Sequence, residues 1–335
     1  MPLIIRQENI LDLDVDVIVN AANTDLEMGG GVCGSIFRGA GVGAMTEACR
    51  PLAPIQTGDA VMTPGFALKA NAVIHTAGPR YIDGRHGERS LLEACYRNSI
   101  RLADDHGFES IAFPLISSGI YGYPKKEAFD VARQAILDAL ETIDMTVILT
   151  LLGSLEGLVD DALLREVSVY LNAHVASKKA PRDEYANRAD VDAMRMRRSN
   201  MAVASDAVDY EAAHSAAVLP QRPTDMTFSE KVLDWIDRKG MDDVEVYKRA
   251  NIDRKLFSKI RSNKDYQPAR NTAISLALAL ELSLNETDDL LKSAGYALSD
   301  SKYADVVIAY CIMQGIHDPM QINLMLLRLE LPTLT

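Results

Sequence analysis

The sequence has few cysteines, no long apolar runs and no excess of positive charge. Its four cysteines, Cys33, Cys49, Cys95 and Cys311, form no Cys-x-x-Cys pair and no Cys/His group with zinc spacing. That argues against a disulfide scaffold and a zinc module. It points to free thiols in a reducing cytosol, with no metal or cofactor expected. No stretch reaches the roughly 18 apolar residues of a membrane span, so no membrane partner is expected. The opening MPLIIRQENILDLDVD has too short an apolar run for a signal peptide. The formal charge of −12 argues against a protein that coats nucleic acid along its whole length, although a local basic patch remains compatible with it.

What is present is a globular composition, 48% hydrophobic and 24% charged, over 335 residues. That length predicts two domains rather than one. The stretch that organises the first of them runs from Val17 to Gly41. Val17-Ile18-Val19 reads as a strand buried on both faces. The chain then turns polar at Asn20-Ala21-Ala22-Asn23 and reaches Gly29-Gly30-Gly31 before a small-residue segment that can form a helix. Three glycines in a row lose more backbone entropy on folding than any other tripeptide. A strand, a glycine-rich loop and a helix N-terminus together make an anion cradle. A plain tight turn is the simpler reading of the glycines taken alone.

Other strands are predicted at Leu3–Ile5, Gly58–Pro64, Val73–Thr76, Ile111–Leu115 and Met145–Leu152. Helices are predicted at Gly39–Cys49, at Ser90–His106 with Ser90 as N-cap and Gly107 as the stop, and at Lys125–Ile143 with Pro124 in its first turn. A closing helix is expected over Leu158–Ala173. Strands alternating with helices imply an α/β sheet layered between helices. Ligands in such sheets sit at the carboxyl ends of the strands, where all the candidate loops lie.

Val19-Asn20-Ala21-Ala22-Asn23 followed by Gly29-Gly30-Gly31-Val32 resembles the signature of the macrodomain family, modules that bind ADP-ribose. Val73-Ile74-His75-Thr76-Ala77-Gly78-Pro79 and Ser110 to Pro124 (SIAFPLISSGIYGYP) agree in order and spacing. The likeness covers roughly the first 170 residues and implies a three-layer macrodomain over 1–175. It further implies that Asn23 bonds the distal ribose and that the backbone around Gly30, Gly31 and Val32 faces the phosphates. Ser117, Ser118, Gly119 and Ile120 would form a second phosphate loop, with Tyr121 packing on the distal ribose and Ala22 beside it.

The sequence also departs from the family. Glu8-Asn9 replaces the usual Gly-Asp before Ile10; an Asn carbonyl can still accept from the adenine amine, without a carboxylate's charge. Leu151-Leu152 stands where an aromatic often stacks on adenine, forgoing about 0.5–1.5 kcal/mol. Cys33 stands where hydrolytic members carry an aspartate, which removes the most obvious general base. Cys33 is either a nucleophile at a helix N-terminus or a small buried hydrophobe. Asp25 and Glu27 are either substitute bases or solvated loop charges. Asn20 is either a ligand contact or a structural tie, and His75 either a catalytic group or a satisfied core residue.

Residues 176–225 (KKAPRDEYANRADVDAMRMRRSN and beyond, to Pro220 and Pro223) read as a flexible linker. It holds a possible transient helix at Asp190–Met201 and a basic run at Arg195–Arg198. Residues 226–335 read as all helix, with helices at Phe228–Ile236, Val244–Ala250, Asp253–Ser262, Asn271–Leu282, Asn285–Ala294 capped by Asn285, and two more over Tyr303–Leu331. Val246 to Leu291 resembles a Cro/repressor-type helix-turn-helix, which makes Asp253–Ser262 the recognition helix. Arg254, Lys255, Lys259 and Arg261 are then the nucleic-acid candidates, within a run of eight basic and two acidic residues. The alternative is a helical module that binds protein, and the last two helices suggest dimerisation or docking.

Two functions follow from the resemblance. One is an enzyme that hydrolyses the distal-ribose linkage of a protein-bound ADP-ribosyl group or of O-acetyl-ADP-ribose. The other is a reader that binds ADP-ribose without turnover, localised by the helical module. A transcription regulator sensing free ADP-ribose is a third.

Overall fold

The computed structural model describes residues 3–153, 155, 157–179 and 226–334. The expected linker, with its transient helix and basic run, lies almost wholly outside them. The chain divides into two compact units, Met1–Leu164 with Thr227–Thr335, and Arg165–Met226.

Six strands form one sheet: β1 (Leu3–Arg6), β2 (Val17–Ala22), β3 (Ala60–Pro64), β4 (Ala72–Ala77), β5 (Ser110–Pro114) and β6 (Thr146–Thr150). Their order is β1-β6-β5-β2-β4-β3. Every pairing is parallel except that of β3 with β4. The central strands are buried along almost their whole length because helices cover both faces. Alternation assigns each side chain to a face. Val17, Val19, Ile74, Phe113 and Leu149 join one apolar cluster with α3 (Glu88–Asp105) and α4 (Lys125–Ala139). Ile18, Val73 and Ala112 join another with Ile36 and Phe37 of α1 (Gly31–Ala40) and Met45 and Cys49 of α2 (Val42–Cys49). This is the expected α/β sheet between helical layers. A last helix, α5 (Asp161–Lys179), closes this part of the chain.

Several boundaries differ from the sequence reading. The predicted helix over 39–49 is two helices, because Gly41 adopts φ +100° between them. α3 starts at Glu88 after Gly87 in the left-handed region, so Ser90 lies inside it rather than capping it. Pro124 precedes α4 with extended backbone instead of entering its first turn, and α4 ends at Ala139.

The helical region comprises α6 (Phe228–Lys239), α7 (Asp243–Arg249), α8 (Arg254–Ser262), α9 (Arg270–Ala279), α10 (Leu284–Ser293), α11 (Tyr303–Met313) and α12 (Pro319–Arg328). Ser283, not Asn285, caps α10, in a capping box with Glu286. This region packs directly on the sheet layer. Met320 and Leu324 of α12 lie in the same apolar cluster as α3 and α4. Arg133 of α4 makes a two-toothed bridge to Asp318, at 2.7 and 3.1 Å. Asn251, at φ +52°, offers its side-chain amide to the edge strand β1: Oδ1 accepts the Leu3 N–H (3.0 Å) and Nδ2 donates to the Leu3 carbonyl (2.8 Å). The edge of a parallel sheet is thereby closed at that residue.

Candidate functional site

A cavity of about 460 Å³ opens at the carboxyl ends of β6, β5, β2 and β4, which are neighbours in that order. Its floor and walls come from the loops that follow those strands. The β2 side supplies Ala21, Ala22, Asn23 and Gly29 to Cys33; the β5 side supplies Leu115 to Tyr121; the β6 side supplies Thr150, Leu151 and Leu152. Four adjacent strand ends span about 14 Å at the usual strand spacing. The wall is apolar at the β6 end, where Leu151, Leu152 and Leu158 stand. It is cationic at the other, where Arg80 follows β4. Among the described residues, no carboxylate lines the cavity.

The first loop delivers backbone donors. α1 begins at Gly31 with Gly30 as N-cap, and no side chain caps it. Its first N–H groups and the positive end of its dipole therefore face the cavity. Gly34 allows the loop to fold back on the helix, since a Cβ there would lie 2.6 Å from the Gly29 carbonyl oxygen. The second loop comes from Ser117, which takes φ +64°. The Ser117 hydroxyl is buried and has no partner among the described residues. A Cβ on Gly78 would meet that hydroxyl at 2.4 Å, so only glycine fits there. Ile120 is 81% exposed. A Cβ on Gly30 would touch its Cδ1 at 3.4 Å, so the two loops meet over the cavity.

Asn23 lines the cavity, yet its amide is already engaged with its own loop: Oδ1 accepts the Glu27 N–H (3.0 Å) and Nδ2 donates to the Glu27 carbonyl (3.1 Å). Cys33 is buried in the cavity wall. Its sulfur accepts from Gly29 N–H at 3.4 Å and from Asn20 Nδ2 at 3.6 Å, and its thiol faces the Glu27 carbonyl at 3.8 Å. Asp25 and Glu27 are exposed and do not line the cavity. Asn20 is wholly buried and acts as a tie, since the same Nδ2 also donates to His75 Nδ1 at 3.0 Å. His75 Nε2 then faces Thr63 Oγ1 at 2.9 Å. Burial pulls the His75 pKa down to about 4, so the ring is a neutral, satisfied core residue. Burial, with Cys33 nearby, pushes the Cys49 thiol up to about 11.

Two expected ligand residues are not among those that line the cavity. Asn9 caps a 3-10 turn (Ile10–Asp12) by accepting the Leu11 N–H at 3.2 Å, and the Ile10 side chain is in the core. Neither lines the cavity. Ala22, Gly30, Gly31, Val32, Ser117, Ser118, Gly119, Ile120, Tyr121 and Leu152 do. Sequence reasoning missed Arg80 and Lys125 as lining residues. The positions themselves were the available signal: Arg80 follows Gly78-Pro79 directly, and Lys125 opens α4 after Pro124.

The nucleic-acid candidates lie on α8. Lys255 is bridged to Asp144 of the sheet layer, and Arg261 to Asp243 at 2.8 Å. Nearby, Lys248 pairs with Glu141 at 2.5 Å, Arg249 with Glu245 and Glu281, Lys264 with Glu230 and Arg270 with Asp305. Arg254 and Lys259 have no ion pair among the described residues. The same set contains one grouping with metal-ligand geometry, Asp83, His86 and Glu88. Glu88 is committed there to the backbone N–H groups of Ile82, Asp83, Gly84 and His86. Burial works against its charge, but those bonds win and hold its pKa down to about 2. No helix among the described residues is long and apolar enough to cross a membrane.

Residues 19–132 match the family model described as Macro domain. A macro domain-containing protein of Chlorobaculum tepidum is 52% identical over 132 residues, which is 39% of this chain and 76% of that protein. An O-acetyl-ADP-ribose deacetylase of Salmonella typhimurium is 50% identical over 136 residues, again 39% of this chain and 75% of that protein. The solved Oceanobacillus iheyensis macrodomain with ADP is 35% identical, covers 50% of this chain and 90% of that one, and superposes with a TM-score of 0.44. With its Asn-Ala-Ala-Asn and triple-glycine loop at the strand ends, and with about half the residues identical over the aligned stretch that spans three quarters of such relatives, this chain belongs to the macro domain family.

Proposed function

We propose that the cavity binds an ADP-ribosyl group and that the protein hydrolyses the linkage at its distal ribose. The observation that carries this is the uncapped start of α1 facing a second small-residue loop, Ser117–Tyr121, across a cavity that no carboxylate lines among the described residues. That wall suits a diphosphate, whose two charges need donors and tolerate no competing anion. The apolar β6 end, with Leu151 and Leu152, accepts the adenine by burial without aromatic stacking. Asn23 and Tyr121 frame the distal ribose, and the Gly30–Val32 backbone faces the phosphates. The relative named O-acetyl-ADP-ribose deacetylase supports the reaction class.

Catalysis on this reading rests on positioning and backbone donors. Water attacks either the acyl carbon of an acetyl ester or the anomeric carbon of a protein-linked ribose. A substrate phosphate, held by the loops, takes the part that a side-chain base plays elsewhere. Cys33 does not replace that base as an open nucleophile, because its sulfur is buried among the Gly29 N–H, the Asn20 amide and the Glu27 carbonyl. The missing carboxylate also supports a second reading, a reader that binds ADP-ribose without turnover.

The two readings separate when the full-length protein is incubated with mono-ADP-ribosylated protein and with O-acetyl-ADP-ribose and release is followed by mass spectrometry. Turnover by wild type that Asn23→Ala abolishes establishes the hydrolase. Binding without turnover, with activity gained in Cys33→Asp, establishes the reader. The helix-turn-helix likeness of the helical region supports a partner for it, either DNA or protein. The bridges to Glu141 and Asp144 and the shared core favour a protein-facing module whose first partner is the sheet layer. DNA contact would fall to Arg254 and Lys259. The free thiols support a reducing, cytoplasmic location.

A further inference from the structure

The cavity has a direction. Its apolar end lies at β6 and its cationic end at β4, with the two backbone-donor loops between them. A ligand laid adenine-first along it carries its diphosphate over the loops of β5 and β2. Its distal ribose then reaches Tyr121, and whatever is attached to that ribose points at Arg80. This orientation rests on the function proposed above.

Arg80 is exposed, and its guanidinium carbon sits 4.9 Å from the centroid of the Tyr121 ring. A guanidinium stacked on an aromatic face is held flat by cation–π attraction and keeps its N–H edge open. The neighbouring backbone is clamped to the same loop, because the Tyr81 N–H donates to the Tyr121 carbonyl at 2.9 Å. No ion pair engages Arg80 among the described residues. The carboxylates of the following loop are committed locally: Glu88 to four backbone N–H groups, and Asp83 to the Arg85 N–H and His86 Nδ1. Lys125 adds a second cation to the same wall. Ile82 and Ile120, 68% and 81% exposed, stand two residues after Arg80 and directly before Tyr121 in the chain.

We infer that Arg80, stacked on Tyr121, is a specificity-determining residue that selects ADP-ribosylated acceptors carrying a carboxylate beside the linkage, an acidic peptide rather than a neutral or basic one. The planar N–H edge matches a carboxylate in two-toothed geometry. The exposed isoleucines beside it suit apolar peptide side chains. A nucleic-acid acceptor fits less well, since it calls for a wider cationic track and the chain carries a net charge of −12.

The test uses the full-length protein and two peptides, each mono-ADP-ribosylated on serine. One has glutamates on both sides of the serine and the other glutamines. Dissociation constants are measured for wild type, Arg80→Ala and Arg80→Lys, with a parallel titration of free ADP-ribose and an ADP-ribosylated oligonucleotide. Wild type is expected to prefer the glutamate peptide by about tenfold, with the preference shrinking as salt rises. Arg80→Ala brings the ratio to about one, and Arg80→Lys restores only part of it. An equal ratio in wild type and Arg80→Ala overturns the inference, as does tighter binding of the oligonucleotide than of the glutamate peptide. If wild type fails to bind free ADP-ribose, the functional reading falls and takes the inference with it, a failure visible in the titration itself.

Discussion

The helices around the cavity and most helices of the C-terminal region start in opposite ways, α9 and α11 being the uncapped exceptions in the latter. Thr227, Asp242, Asp253, Ser283 and Asp318 each accept a backbone N–H at the start of a helix, and Thr227 and Ser283 complete capping boxes. None of α1 to α4 has such a side-chain cap. A missing cap ordinarily costs about 1 kcal/mol. No residue that opens α2 or α3 lines the cavity, whereas α4 opens with Lys125, which does. At α1 the open donors face a cavity free of carboxylates among the described residues, and the loop that delivers them contains three glycines. Five helix ends of the C-terminal region are closed by side chains, while α1 leaves its end open at the cavity, where the proposed diphosphate would sit.

Removing the helical region has the largest expected effect. Met320 and Leu324 are almost fully buried in the sheet-layer cluster. Deleting residues 227–335 is expected to destabilise the remaining domain by about 3–6 kcal/mol, from two large apolar side chains at about 1.5–3 kcal/mol each. Chemical denaturation of the truncated and full chains measures this. Equal midpoints for the sheet layer would show that the two regions do not share a core.

Acid is the next lever. The His75 pKa is lowered in the fold to about 4 from an ordinary 6.5. The unfolded chain therefore binds the proton first, and stability falls as pH drops from about 6.5 toward 4. The full effect is of order 3 kcal/mol. Glu88, held at about 2, adds a loss that begins below about 4.5. Thermal midpoints across that range, compared with His75→Gln, should show a flatter acid limb in the variant between pH 6.5 and 4.5.

Gly34→Ala sharpens the comparison at the cradle itself. The new methyl group lands 2.6 Å from the Gly29 carbonyl oxygen, so the glycine loop must move off α1. Overpacking of this kind costs about 1–3 kcal/mol, and ADP-ribose affinity is expected to fall with it. The smallest effect comes from the caps. Ser283→Ala should cost about 1 kcal/mol in stability and leave ligand affinity unchanged. Affinity that moved with the Ser283 cap would erase the distinction between the two kinds of helix end.

Local features were legible in the sequence. The strand, polar turn and triple glycine announced the first loop, and Ser117-Ser118-Gly119 announced the second, because each works through its own backbone. Asn9 and Ile10 were placed at the site by resemblance alone; Asn9 caps a 3-10 turn, and neither is among the residues that line the cavity. The cations of α7 and α8 looked free for DNA because their partners are far away in sequence: Glu141 lies 107 residues from Lys248, and Asp144 lies 111 from Lys255. Arg80 was missed although it follows Gly78-Pro79 directly, since its contact with Tyr121 depends on β4 and β5 flanking β2.

The central claim is that the open end of α1 and its glycine loop hold the diphosphate. A calorimetric titration of ADP-ribose into the full-length protein, beside Gly30→Asp, tests it most directly. Gly30 has φ −85°, so aspartate fits the backbone and places its carboxylate where the anion is to sit. Saturable one-to-one binding by wild type, weakened about tenfold or more by Gly30→Asp, is the predicted result. Equal affinity in the two proteins, or no binding by wild type, would contradict it.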